Sequence, residues 1–211
     1  MKGLADYVHD LGLKIGIYSS PGPWTCGDCF GSWGHERQDA ETYAKWGFDY
    51  LKYDLCRYDR VIEGKIPAPP GIPTYANSNR RDVAVYPFAL MGKFLREQKR
   101  DIIYSLCQYG IENVWEWGDT VSGNSWRTTG DIIDTWQSIT DIGFGRDHAA
   151  PYSNPGNWND PDMLIVAKSV GATSTPPASL PTSNTRTSAS GVCTPRRCLL
   201  AATWKNWTPS R

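Results

Sequence analysis

The sequence predicts an α/β fold with parallel strands, and three observations predict it. Short apolar and aromatic runs alternate with segments of helical periodicity, in the order that βα units require. Gly, Pro and Asn clusters separate them. Polar and ionisable residues recur where the strand-like runs stop. A chain of 211 residues, 40% hydrophobic and 21% charged, suits one ordinary globular domain.

The elements follow in order. In "KGLADYVHDLG", Leu4, Tyr7, Val8 and Leu11 fall at helical spacing and Gly12 supplies a C-cap. "LKIGIYSS" reads as a short buried strand, followed by a Gly, Pro and Cys loop from Pro21 to about Trp33. "ERQDAETYAKWG" places Ala40, Tyr43, Ala44 and Trp46 on a second helix ended by Gly47, and "FDYLKYD" is the next strand. The insertion "RVIEGKIPAPPGIPTYANSN" is too rich in Pro and Gly for regular structure. "DVAVYPFALMGKFLREQKR" reads as a helix interrupted near Pro87, "DIIYSLC" as a strand and "ENVWEWGDTV" as a short helical segment. "SWRTTGD", "IIDTWQSITDIG" and "NWNDPDMLIV" continue the alternation.

Composition excludes several classes of function. The 22 basic and 22 acidic residues cancel and are interspersed, which argues against a nucleic-acid partner. No run of about 18 apolar residues indicates a membrane span. The first residues read as the middle of a helix, with no signal peptide before them, so the chain is expected to start internally. His9, His35 and His148 are scattered outside any HxH or HExxH pattern, and of the six cysteines only Cys26 and Cys29 form a metal-type doublet. The expectation is therefore no metal and, without a glycine-rich phosphate fingerprint, no organic cofactor. A disulfide between loops is the better use of these cysteines and points to an oxidising compartment.

Chemistry concentrates at the strand ends. Tyr18 follows "KIGI", Lys52 and Asp54 follow "DYL", Gln108 follows "IIYSLC" and Asp131 follows "WRTTG". In a (β/α)8 barrel the C-terminal strand ends share one pocket. Lys52 and Asp54 are two apart on a strand and share a face, which sets a cation beside the carboxylate and favours its ionised form. Asp131 also stands before "IIDTW", where an aspartate caps a helix. Arg127 is open to reading as a surface ion-pair residue, Tyr18 as core packing, and Asn159 or Asp160 as turn formers before Pro161.

"LGLKIGIYSSPGPWTC", "WGFDYLKYDLC", "SLCQYG", "WRTTGDI" and "GNWNDPDML", collinear from Met1 to about Ala167, resemble the catalytic barrel of glycoside hydrolase family 27, the α-galactosidase and α-N-acetylgalactosaminidase family. The resemblance implies a partial (β/α)8 barrel over residues 1–167 covering the family's third to seventh strands. It implies hydrolysis of terminal α-D-galactosyl residues by a retaining mechanism, with Asp54 as nucleophile and Asp131 as acid/base. That mechanism needs two carboxyl groups about 5 Å apart, one forming a glycosyl ester, the other handling the proton. By similarity Tyr18, Lys52, Arg127 and Asp162 line the sugar pocket, and Cys26 and Cys56 match the family's loop disulfide. Gln108 and Ile111 match the residues that separate galactose from N-acetylgalactosamine. Both are bulky, which favours galactose, while Gln108 replaces an acid and leaves a pentose or glucoside specificity open; α-N-acetylgalactosaminidase or β-L-arabinopyranosidase activity is the alternative within the family. A non-catalytic carbohydrate-binding module would need no such carboxylate pair. The implied partner is an α-galactoside oligosaccharide or glycoconjugate. The intact relatives are expected to be secreted or periplasmic; oligomeric state has no sequence signal.

Two departures from the family pattern stand out. Its first strands carry a tryptophan-rich motif with an aspartate pair, absent before residue 13, so the 211-residue chain is expected to be inactive. From about Lys168, composition shifts to Ser, Thr, Pro and Arg, the profile of a linker. Read one base out of register, however, a permissible choice of synonymous codons for Ser169 to Gly191 can spell "VGWGNLHPTRLTPNEQYTHISLW", which resembles the family's continuation after "NDPDML". Residues 168–211 are thus expected to be a frameshifted, disordered tail, with the shift near 167 to 169.

Overall fold

The computed structural model describes residues 1–163; the tail expected to be frameshifted lies outside them. Five strands, β1 (Gly16–Ser19), β2 (Tyr50–Asp54), β3 (Ile103–Cys107), β4 (Ser125–Arg127) and β5 (Trp158–Asp160), form one parallel sheet in chain order. The five strands are those expected from the sequence, because each is a short bulky run bounded by glycine or a polar cluster.

Register sets which side chains share a face. Tyr18 pairs with Lys52, Lys52 with Ser105, Asp54 with Cys107 and Arg127 with Asp160. Since successive strand residues alternate faces, these groups line one side of the sheet. Leu51, Tyr53, Tyr104, Leu106 and Trp126 occupy the other and are buried. Against that apolar face pack the helices α2 (Glu36–Trp46) and α4 (Arg80–Arg96), through Ala40, Tyr43, Phe88, Met91 and Leu95. Tyr53 meets Phe88 edge-on at 5.9 Å between ring centroids.

Helix α1 (Lys2–Asp10) precedes β1. Asp49, at the entry of β2, ties the N-terminal ends of three strands together. Its carboxylate takes the His9 ring nitrogen at 2.7 Å, the Ile15 N–H at 3.0 Å, Arg100 at 2.6 Å and Lys14 at 3.4 Å.

Two expectations need correction. Helix α4 runs unbroken through Pro87. The proline costs one backbone hydrogen bond, but Asn79 caps the helix by accepting the Asp82 N–H at 2.8 Å, and Pro87 lies buried with Val83 and Phe88. The insertion after Asp54 is not wholly irregular, because Asp59–Ile62 forms a short helix, α3, around the fully buried Val61. Helix α5 (Trp136–Phe144) is capped by Thr135, whose hydroxyl accepts the Ser138 N–H at 3.2 Å. That leaves Asp131 free of the capping role.

Among the described residues β1 and β5 are edge strands with one neighbour each. Exposed apolar side chains include Leu4, Tyr7, Leu11 and Leu13, which precede β1 in the chain, and Ile133, Trp136 and Phe144, which lie between β4 and β5 in the chain.

Candidate active site

Asp54 closes β2 and is only 7% exposed. Each of its oxygens accepts a phenol. Tyr18 donates to Oδ2 at 2.9 Å and Tyr109 to Oδ1 at 2.5 Å. Burial and the Asp54 charge push both phenols well above the usual tyrosine range, so both remain protonated donors. Tyr18 is partly exposed, and its hydroxyl also lies 3.2 Å from Cys56 Sγ. It is therefore not core packing.

Behind Asp54 the chain is pinned. Cys26 and Cys56 form a disulfide, joining the loops after β1 and β2. Ser20 Oγ donates to the Cys56 carbonyl at 2.6 Å. A Cβ on Gly22 would fall 2.3 Å from that same carbonyl oxygen, so only glycine lets the two loops approach this closely. Cys29, the other member of the doublet, is free and exposed. Among the described residues Cys26, Asp54 and Cys56 are the one His/Cys/Asp/Glu group close enough to hold a metal; its sulfurs are consumed by the disulfide.

Arg127 ends β4 and is 2% exposed, which overturns the surface reading. Its guanidinium reaches Asp131 and Asp162 at 3.0 Å each and the Thr129 carbonyl at 3.2 Å. Burial alone would lower its pKa; Cys107, Asp162, Asp131 and Asp160 reverse this and the net shift is upward, fixing a cation. Asp162 is held between this cation and the Ile132 N–H at 2.9 Å, whereas Asp131 projects into solvent, its side chain 78% exposed. Cys107, between Asp54 and Arg127, has its thiol pushed up to about 12 by burial and by Asp54. It is a neutral lining group.

The remaining expected residues fall into place with one correction. Lys52 shares the face of Asp54, yet no ion pair joins them among the described residues; the tyrosine hydroxyls occupy the carboxylate instead. Gln108 is buried, its Oε1 accepts the Ile111 N–H at 2.7 Å and its Nε2 has no partner. Ile111 is 36% exposed. Asn159 and Asp160 belong to β5: Asn159 accepts the Trp126 indole at 2.6 Å, and Asp160 Oδ1 accepts the Asp162 N–H at 2.8 Å. Sequence reasoning passed over Tyr109, although it stands inside "SLCQYG", two residues past a strand end.

Parallel strands in chain order, helices on one face and a convergent set of ionisable groups at the C-terminal strand ends define a segment of a (β/α)8 barrel. A melibiase family model described as "Alpha galactosidase A" matches residues 1–67 and 73–175, and the chain belongs to this family, glycoside hydrolase family 27. It is 46% identical over 167 residues to "Alpha-galactosidase 2" of Arabidopsis thaliana, covering 79% of this chain and 37% of that protein. It is 47% identical over 167 residues to the "Alpha-galactosidase" of Cyamopsis tetragonoloba, covering 79% and 35%. Among solved structures, the Saccharomyces cerevisiae α-galactosidase aligns with a TM-score of 0.66 at 27% identity, over 82% of this chain and 39% of that one. A Saccharomyces cerevisiae α-galactosidase solved with raffinose aligns with a TM-score of 0.61 at 26% identity, over 82% of this chain and 39% of that one. The chain thus spans little more than a third of the length of these curated relatives.

Proposed function

We propose that this segment carries the catalytic centre of an α-galactosidase that hydrolyses terminal α-D-galactosyl residues with retention of configuration. The observation that carries the proposal is the enclosed Asp54 carboxylate at a strand end, held by two phenols, with Arg127 presenting a second, solvent-facing carboxylate, Asp131. In the first step Asp54 attacks the anomeric carbon, the glycosidic C–O bond breaks, and the departing oxygen takes the proton of Asp131. In the second, Asp131 as carboxylate removes a proton from water. The water oxygen attacks the same carbon and Asp54 departs. Two inversions give retention.

Arg127 and Asp162 shape the wall beside Asp131, while Tyr18 and Lys52 stand on the same sheet face as Asp54. The relatives' names and the raffinose complex of the yeast enzyme support an α-galactoside oligosaccharide or glycoconjugate as substrate.

The test uses an N-terminally complete, frame-corrected gene product with aryl α-galactoside, α-N-acetylgalactosaminide and β-L-arabinopyranoside substrates, following the anomer released by NMR. The α-galactoside is expected to be preferred, with α-galactose as first product and turnover abolished by Asp54→Asn. Release of β-galactose would refute retention, and preference for another sugar would refute the specificity. The 211-residue chain, with five strands among its described residues where a closed barrel has eight, is expected to show no turnover by itself; hydrolysis abolished by Asp54→Asn would overturn that. The frameshift proposed near residues 167 to 169 is checked by resequencing, where one clean uninterrupted frame would sink it.

A further inference from the structure

We infer that Tyr109 is a positioning residue for the second chemical step, stabilising the Asp54 carboxylate as it leaves the sugar. This rests on the proposed retaining mechanism and assigns a role to a residue outside the carboxylate pair. Three features of the structure carry it.

The two phenols on Asp54 are not equivalent. Tyr18, on Oδ2, has a second acceptor within reach, Cys56 Sγ at 3.2 Å, to which its hydroxyl can turn. Tyr109, on Oδ1, donates at the shorter distance of 2.5 Å to that oxygen. Attack on the anomeric carbon therefore comes from Oδ2, with Tyr18 yielding, while Tyr109 stays on Oδ1.

The backbone is bent to place Tyr109. Its φ is +65°, a left-handed conformation that strains a non-glycine residue. Gly110 follows at φ +83°, where a Cβ would fall 2.3 Å from the Thr128 carbonyl oxygen. Glu112 and Asn113 are also left-handed. The loop after β3 is thus strained around the one side chain that reaches back to Asp54, and the Arg127 guanidinium stands 6.0 Å from its ring centre.

The hydrogen bond changes strength during the reaction. In the glycosyl ester, Oδ1 is a neutral carbonyl oxygen and a modest acceptor. As water attacks, the C–Oδ2 bond breaks, its electron pair returns to the carboxylate, and Oδ1 regains charge. Hydrogen bonds to charged groups are stronger than neutral ones, so the Tyr109 bond strengthens on the way to the second transition state. In the first step the order is reversed, and the same bond modestly opposes attack. An interaction stronger in a transition state than in the preceding ground state accelerates that step alone.

The test is Tyr109→Phe in the complete gene product, which keeps the ring and removes the donor. With an aryl α-galactoside bearing a good leaving group, kcat is expected to fall about 10- to 100-fold. KM should fall with it, leaving kcat/KM within a few-fold of the parent. A burst of phenol should precede the steady state, kcat should lose its dependence on the leaving group, and intact mass spectrometry of quenched enzyme should show a hexosyl adduct on the peptide carrying Asp54. A fall in kcat/KM with KM unchanged and no adduct would show that Tyr109 only supports the fold. If Tyr109→Phe does not fold, Tyr109 is replaced by 3-fluorotyrosine, a stronger donor that should raise kcat when the second step limits; unchanged or lower kcat overturns the inference. Failure of the underlying mechanism looks different: the parent enzyme would then release the inverted anomer, and no adduct would form in any variant.

Discussion

Replacing Asp49 with Asn tests whether the N-terminal ends of the strands are held by one buried charge. The Asp49 side chain is 9% exposed and meets four donors from α1, the start of β1 and the segment before β3. Burial by itself would raise its pKa; the His9 and Ile15 hydrogen bonds, the Lys14 charge and the Arg100 hydrogen bond outweigh it, and the net shift is downward. Lys14, 61% exposed, is screened by water and contributes little. The bonds from the His9 ring and the Ile15 N–H lead, that from Arg100 comes after them, and hydrogen bonds to a charged group are worth ~1.5–3 kcal/mol each before screening of the partly exposed His9 and Arg100. Asn retains one acceptor, so the net loss is about 2–3 kcal/mol, or a drop of about 5–10 °C in Tm for a domain of this size. Because the folded pKa is depressed, this contribution is fully present above the unfolded value near ~3.9 and disappears as pH falls through the lower folded value. Thermal unfolding of parent and Asp49→Asn from pH 7 down to pH 2 should show two melting curves that converge in acid. A gap independent of pH, or no gap at pH 7, would refute the reasoning.

Other expectations follow from the same geometry. In the complete, frame-corrected gene product Asp131→Asn should cost about 10²- to 10⁴-fold on a poorly departing aglycone and far less on a nitrophenyl one; equal losses on both would remove it from the proton-transfer role. Asp162→Asn leaves the buried Arg127 ion-paired only with the exposed Asp131, with Asp160 acting from farther off, and should destabilise by ~3 kcal/mol, read as a fall in Tm; an unchanged Tm would mean that Asp131 and Asp160 suffice. Replacing both Cys26 and Cys56 by Ser opens a loop of sequence separation 30 and should lower stability by ~3–4 kcal/mol, seen in denaturant titration as a lower midpoint with m little altered; an unchanged midpoint would show that Ser20 and Gly22 hold the loops unaided.

Legibility differed between elements for identifiable reasons. The strands ending at Asp54 and Cys107 could be read because bulky runs stop abruptly at polar residues. Pro87 misled, since local propensity says interruption while the burial of Val83, Phe88 and Met91 against the sheet holds the helix straight through it. Lys52 misled differently: a shared strand face gives proximity, but which donor occupies a carboxylate depends on loops arriving from elsewhere. Tyr109 was invisible because its reach to Asp54 comes from a left-handed backbone, and side-chain periodicity carries no record of that.

The sequence by itself determined the alternation of strand and helix and, through motifs contiguous along the chain, the family; the roles expected of Asp54, Arg127 and Asp131 and the Cys26–Cys56 pairing were what that resemblance implied. Only the tertiary structure decided who touches whom. It placed Tyr18 and Tyr109, 36 and 55 residues from Asp54, on its two oxygens, and buried Arg127 between an enclosed and an exposed carboxylate. The physical reason is that parallel strands are joined by long crossovers, so the contacts of Tyr18 and Tyr109 with Asp54 each close a loop of tens of residues, and their partners are chosen by register and loop geometry, not by spacing in the chain.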